Sequence, residues 1–189
     1  EGGADTTTVT INITSVNNPP ELIFPTARIT DEDTEIVIEM SVVDEDIAEI
    51  EDNEMEMYLF AEDGTLSLNG IYGLTFSSGD GYSDDSLRFT GKIVDITTAI
   101  DSIKFMPAEH FNGVTFLQGV VNDQGGTGSG GALTDSLELQ ITVNAVNDAP
   151  VFTVPELTSV DEDSSIVISG FSVDDVDIAD NEMDMILSV

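Results

Sequence analysis

Residues 136–150, SLELQITVNAVNDAP, carry the pattern of residues 6–20, TTTVTINITSVNNPP, displaced by 130 positions. The echo extends outward from that pair. Asp31-Glu32-Asp33 returns as Asp161-Glu162-Asp163 at the same displacement. Asp44-Glu45-Asp46-Ile47-Ala48 returns as Asp175-Val176-Asp177-Ile178-Ala179, displaced by 131. Asn53-Glu54-Met55-Glu56-Met57 returns as Asn181-Glu182-Met183-Asp184-Met185, displaced by 128, so the first copy holds about three extra residues near 49–51. An ordered series of this kind marks an internal repeat. The frame predicts residues 1–17 as the last strand of a preceding repeat, 18–147 as one complete repeat and 148–189 as the first part of the next. The boundaries fall at Pro19, Pro20 and Pro150, where a ring without an N–H ends a ladder. The chain opens on Glu1-Gly2-Gly3 and stops in an apolar stretch at Val189, and the expectation is a piece of something longer.

Inside the repeat the hydrophobic period is two. Val9, Ile11 and Ile13 alternate with polar residues from Thr8 to Thr14, as do Leu137, Leu139, Ile141 and Val143, which predicts strands. Further strands are predicted over 35–40, 55–60, 65–68, 71–76, 86–90, 103–106 and 114–121, with Gly, Asp, Ser and Asn punctuation at 62–64, 77–85, 112–113 and 122–131. Ile96, Ala99, Ile100 and Ile103 fall at helical spacing, predicting one short helix near 95–101 with Asp95 as its N-cap. Many short strands at this spacing argue an all-β fold, a Greek-key β-sandwich.

The charge balance excludes whole classes of function. Thirty-eight Asp and Glu stand against 4 Lys and Arg, a net charge of −34. Nucleic acid and an anionic membrane surface both need clustered cations, so neither is a partner. A hydrophobic content of 40% still supports a core, unlike an acidic disordered tail. There is no Cys and one His, His110, so thiolate or His-based metal sites and a Ser-His-Asp triad are out. No secretory signal and no run of about 18 apolar residues is seen. The glycine run at 125–131 lacks the Lys and following helix of a phosphate loop and reads as a hairpin loop. With no Trp and no convergent nucleophile or base, the chain is not expected to be an enzyme.

Asp44 and Asp46, like Asp175 and Asp177, are spaced i, i+2, which on an extended chain puts both carboxylates on one face. A hard cation with oxygen ligands relieves their repulsion, and calcium, with six to eight oxygens in tolerant geometry, suits them better than magnesium. Two plainer readings stand beside this one. Asp favours turns for its own backbone hydrogen bonds. An acidic surface also suits high salt, though that does not account for acids recurring in register.

These motifs together have a family likeness. Val146-Asn147-Asp148-Ala149-Pro150-Val151-Phe152 resembles the interdomain joint of cadherins. Asp44-x-Asp46 followed by Asn53 resembles their DxD and Asn pair, and Asn122-Asp123-Gln124-Gly125 their turn before the last strand. The ordered set is most similar to the cadherin-like tandem repeats of very large bacterial surface proteins and adhesins, over nearly the whole chain. The resemblance implies a cadherin/Ig-like sandwich and Ca2+ held at the joints. The first joint would draw on Asn17 and Asn18 with Asp44, Asp46 and Asp123. The second would draw on Glu32, Asn147 and Asp148 with Asp175 and Asp177, while Asn53 and Asn181 would give backbone carbonyls. The Leu-Asp-Arg-Glu motif of animal cadherins is absent. What the resemblance implies is a calcium-binding structural repeat, extracellular or on the cell surface, that stiffens a multidomain rod for cell adhesion. The alternative is an adhesive module that recognises a sugar, a protein or itself. The expected partners are neighbouring repeats, together with self-association in which residues 1–17 of one molecule complete 148–189 of another.

Overall fold

Met55, Met57, Leu59 and Ala61 are buried while the residues between them are not, and this period of two defines the strand Glu54–Ala61. The same alternation builds its neighbours in a computed structural model that describes residues 2–47, 53–126, 128–156, 159–178 and 182–186. The chain divides into two compact units, Glu1–Asn144 and Ala145–Val189.

In the first unit the strands are β1 (Glu21–Ile23), β2 (Ala27–Asp31), β3 (Ile36–Ile38), β4 (Ser41–Val43), β5 (Glu54–Ala61), β6 (Gly64–Ser67), β7 (Thr75–Ser78), β8 (Ser86–Lys92), β9 (Ile103–Pro107), β10 (Gly113–Asn122) and β11 (Thr134–Asn144). One six-stranded sheet runs β2-β11-β10-β5-β8-β7, and a three-stranded sheet runs β3-β9-β6. A short β1–β4 pair completes the set. Strands distant in sequence lie side by side, β5 against β10 and β2 against β11, and the β2–β11 pairing is parallel. Leu59, Phe89, Leu117, Leu139 and Ile141 of the large sheet meet Ile38, Leu66, Ile103 and Phe105 of the small one in a single core. The fold is an all-β sandwich, and burial of these apolar faces is its main driving force.

The helix α1 spans Ile93–Ile100 and turns Ile96, Ala99 and Ile100 into the core. It begins two residues before the predicted start. Its N-cap is Lys92, which makes no side-chain capping bond, and Asp95 lies inside the first turn, where a carboxylate still faces the positive end of the helix dipole. Two strand expectations are corrected. The strand predicted over 71–76 is β7, Thr75–Ser78, because Gly73 takes a positive φ of 73° and keeps 71–73 in a turn. Residues 8–14 form no ladder: Val9, Ile11 and Ile13 are 78%, 78% and 92% exposed, with no sheet among the described residues to receive them.

The second unit pairs β12 (Val151–Thr153) antiparallel to β13 (Ser172–Asp174). Its register sets Val151 opposite Asp174 and Phe152 opposite Val173, as Glu21 faces Val43 and Leu22 faces Val42 in β1–β4. The sequence repeat is thus a repeat of strand pairing. No helix among the described residues is long and apolar enough to cross a membrane.

Cations are scarce, and one of them is well placed. Arg88 of β8 grips Glu56 of β5 in a two-pronged pair at 2.8 and 2.9 Å. The hydrogen bond from Arg88 holds the Glu56 carboxyl below its usual value. A carboxyl depressed in the folded state supports the fold above its unfolded pKa and loses that support as the pH falls through the folded one. Both groups are partly exposed, which limits the effect. Glu56→Gln is expected to lower Tm by only about 1–2 °C at pH 7 and to leave it unchanged at pH 2, as read by calorimetry.

Candidate metal centre

The hairpin between β10 and β11 is organised by one carboxylate. Asp123 is fully buried. Its Oδ1 accepts from the backbone N–H of Gly125 at 2.9 Å and of Leu133 at 2.8 Å, closing the loop at both ends. Its Oδ2 accepts from the side-chain amide of Asn17 at 2.6 Å. That amide also donates to the Gly131 carbonyl at 3.0 Å, and the Asn17 backbone N–H donates to the Ser129 carbonyl at 3.0 Å. Residues 15–17 are therefore held by the glycine-rich loop, with a parallel bridge from Val16 to Ser129. Glycine is required there. Gly125 has φ +70° and its Cβ would stand 2.6 Å from the Ala132 nitrogen, while Gly128 has φ +76° and would press the Ser15 carbonyl at 2.9 Å.

Asn18, the next residue, brings in the second pair of acids. Its backbone N–H donates to Asp46 Oδ2 at 2.5 Å. The Asp46 N–H in turn donates to Asp44 Oδ1 at 2.9 Å, and the Ile47 N–H joins the same oxygen at 3.1 Å. Asp44 is only 5% exposed, and its other oxygen, Oδ2, is buried without a hydrogen-bond partner. A bare carboxylate oxygen out of water costs roughly 1–3 kcal/mol or more. The Asn17-Asn18 dipeptide thus ties Asp123 on one side and Asp46 on the other. Among the described residues the ligand atoms of Asp44, Asp46 and Asp123 do not all fall within 4.8 Å of one another, so a shared ion would draw these side chains inward.

Glu32 sits in the turn after β2. It is buried, its N–H donates to the Asn144 carbonyl at 2.9 Å, and its Oε2 lies 3.4 Å from the Asn112 amide. Asp31 accepts from the Asn144 amide at 3.0 Å, and Asp33 accepts from the His110 N–H at 3.1 Å. His110, in the left-handed region at φ +58°, faces Asp33 and Glu109 and has no place in the Asp44 group.

In the second unit the frame of the first recurs. The Asp148 N–H donates to Asp177 Oδ2 at 2.5 Å, and the Asp177 N–H donates to Asp175 Oδ1 at 3.0 Å. These are the bonds of Asn18 to Asp46 and of Asp46 to Asp44, one repeat later. The Asn147 amide donates to the Asp148 carbonyl at 2.7 Å. Asn181 lies outside the described residues.

The donor set fits a hard cation. Asp44, Asp46 and Asp123 offer carboxylate oxygens, Asn17 and Asn18 offer carbonyls, and nitrogen and sulfur ligands are missing from the group. Sequence reading missed the part played by Ser129 and Gly131, which reach Asn17 only through folding. It also missed Asp135, whose Oδ2 accepts from the Leu22 N–H at 2.8 Å and fixes β1 to β11.

No protein-family model matches the chain, and no curated protein matches it. Among solved structures it is similar to the surface layer protein SbsC, domains 1–6, at 13% identity and a TM-score of 0.29, over 85% of this chain. The match takes in 18% of that chain, so this one spans a minor part of its length.

Proposed function

We propose that this chain is a calcium-stiffened structural repeat of an extracellular, multidomain bacterial surface protein, and that its work is mechanical. The observation that carries the reading is the recurring frame. Asn18, Asp46 and Asp44 in one repeat and Asp148, Asp177 and Asp175 in the next make the same two hydrogen bonds, and in the first the frame leaves a buried Asp44 oxygen bare. A solvated turn has no reason to bury a carboxylate and leave it unpartnered. Calcium would supply charge compensation and a bridge among oxygens. The chain's own residues do the rest. Asn17 and Asn18 lock the incoming segment to the glycine-rich loop and to the Asp44-Asp46 turn, and Pro19-Pro20 limits the backbone freedom that follows. With dissociation constants of about 10⁻⁴–10⁻³ M, millimolar calcium adds roughly 0.4–1.4 kcal/mol per site.

One observation favours the adhesive alternative. Tyr72 and Tyr82 are both exposed, on loops whose neighbours Ile71 and Gly81 approach each other. Two rings make a small patch against the roughly 1,000 Å² that a stable interface buries, and the mechanical reading accounts for more of the chain.

Small-angle scattering in about 5 mM calcium and in chelator tests the stiffening. Calcium is expected to sharpen the distance distribution and lengthen the maximum dimension, with no effect from equal ionic strength of sodium chloride. Superimposable profiles overturn it.

A further inference from the structure

The chain holds two Asn-Gly dipeptides, Asn69-Gly70 and Asn112-Gly113, and both asparagines are exposed. Such a pair can react with itself, because a residue without a Cβ lets its amide nitrogen reach the side-chain carbonyl carbon of the residue before it. The fold treats the two differently. The Asp123 N–H donates to the Leu133 carbonyl at 3.1 Å, and hydrogen-bonded pairs recur at every second position along the β10–β11 register. Gly113, opposite Val143, falls on such a pair, so its nitrogen is held in the ladder. Gly70 lies outside every strand, and its N–H has no partner among the described residues. Nothing stands within 4 Å of where its Cβ would be.

Asn69 meanwhile closes the C-terminal end of α1. Its backbone N–H donates to the Ala99 carbonyl at 2.9 Å. Its Nδ2 donates to the Thr98 carbonyl at 3.3 Å and to Asp101 Oδ1 at 3.0 Å. Together with the Met40 N–H on the Ile100 carbonyl at 3.2 Å, these bonds meet last-turn carbonyls that a helix leaves open. The last turn of α1 carries no basic residue of its own to offset the negative end of the dipole.

We propose that Asn69 is a site of spontaneous deamidation, and that the carboxylate it yields unlocks the end of α1. The Gly70 nitrogen bonds to Asn69 Cγ, the Cγ–Nδ2 bond breaks, and ammonia leaves with the Gly70 amide proton. Water then opens the imide, its hydroxyl going to a carbonyl carbon and its hydrogen to the Gly70 nitrogen. Opening at Cγ gives aspartate, and opening at the main-chain carbonyl gives isoaspartate. Either product exchanges a donor for an anion. The Thr98 carbonyl loses its side-chain partner, Asp101 meets a like charge where it had a donor, and the new anion faces the negative end of the helix. Ile96, Ala99 and Ile100, which α1 turns into the core, are then held less firmly. None of these residues belongs to the Asp44, Asp46 and Asp123 group, so this inference and the calcium reading stand or fall separately.

Tryptic cleavage after Arg28, Arg88 and Lys104 puts the two asparagines on separate peptides, so mass spectrometry can follow each in protein kept at about pH 8 and 37 °C. In the folded protein Asn69 is expected to deamidate at least tenfold faster than Asn112, and in urea the two rates should converge to within about threefold. Equal rates in the folded protein overturn the proposal. So does a ratio that urea leaves unchanged, which would assign the difference to local sequence. Gly70→Ala is expected to slow the reaction at Asn69 at least tenfold with Tm unchanged, since the added methyl meets no neighbour. An undiminished rate in that variant overturns attack by the Gly70 nitrogen. Asn69→Asp is expected to lower Tm by about 3–6 °C, and Asn69→Ala by less, because only the first adds a charge. An Asn69→Asp variant as stable as the parent overturns the unlocking of α1.

Discussion

In excess chelator the chain is expected to melt low, and about 10 mM calcium is expected to raise its Tm by about 8–11 °C for each site occupied. At roughly a hundred times a dissociation constant of about 10⁻⁴ M, mass action adds about 2.7 kcal/mol, and a domain of this size gains roughly 3–4 °C per kcal/mol. Magnesium should give a fraction of that, and sodium chloride only the small rise that screening of a −34 chain brings. Asp44→Asn separates the cause from the bystander. The amide keeps the oxygen that accepts from Asp46 and Ile47, and it removes the charge carried by the bare oxygen. In chelator the variant is expected to be more stable than the parent by ~1 kcal/mol, and in calcium less stable, so the two melting curves exchange order. A variant that keeps the full calcium shift removes Asp44 from the site. A parent that responds equally to sodium chloride reduces the acids to a salt-adapted surface.

The largest loss of stability from a single substitution is expected at Asp123→Ala. Three donors, the N–H groups of Gly125 and Leu133 and the amide of Asn17, lose their acceptor in a site closed to water. At roughly 1–2 kcal/mol for each donor left unmet, the cost is about 3–5 kcal/mol, read as a lower urea midpoint at unchanged slope. Asp123→Asn retains the oxygen that serves Gly125 and Leu133 and should recover most of that loss, while still weakening the calcium response. A small cost for the alanine variant would mean that the glycine-rich loop holds its shape without Asp123.

Four strands of the large sheet, β5, β8, β10 and β11, were legible in the sequence because they are long enough for a period of two to declare itself. Met55-Glu56-Met57-Tyr58-Leu59 and Leu139-Gln140-Ile141-Thr142-Val143 alternate over several residues. Strands β1 and β4, at three residues each, and the five-residue β2 were not foreseen; they are short for the pattern, and their pairing is decided by what lies across from them. Thr8–Thr14 shows the converse. Its alternation is as clean as that of β11, yet a strand exists only where another edge accepts its hydrogen bonds. For the candidate site, the repeat exposed Asp44, Asp46, Asp175 and Asp177 by their spacing alone. The bare oxygen of Asp44 and the clamp of Ser129 and Gly131 on Asn17 depend on burial and on loop closure across the whole first unit, and no local pattern encodes them.

The parallel alignment of β2 and β11 sets how the sandwich meets a pull. One strand lies near the chain's entry to the domain and the other at its exit, and they point the same way. Traction applied at entry and exit draws them past each other lengthwise. The five residue pairs from Gln140–Ala27 to Asn144–Asp31 then share the load and must yield together, whereas an antiparallel pair in that position would peel open one rung at a time.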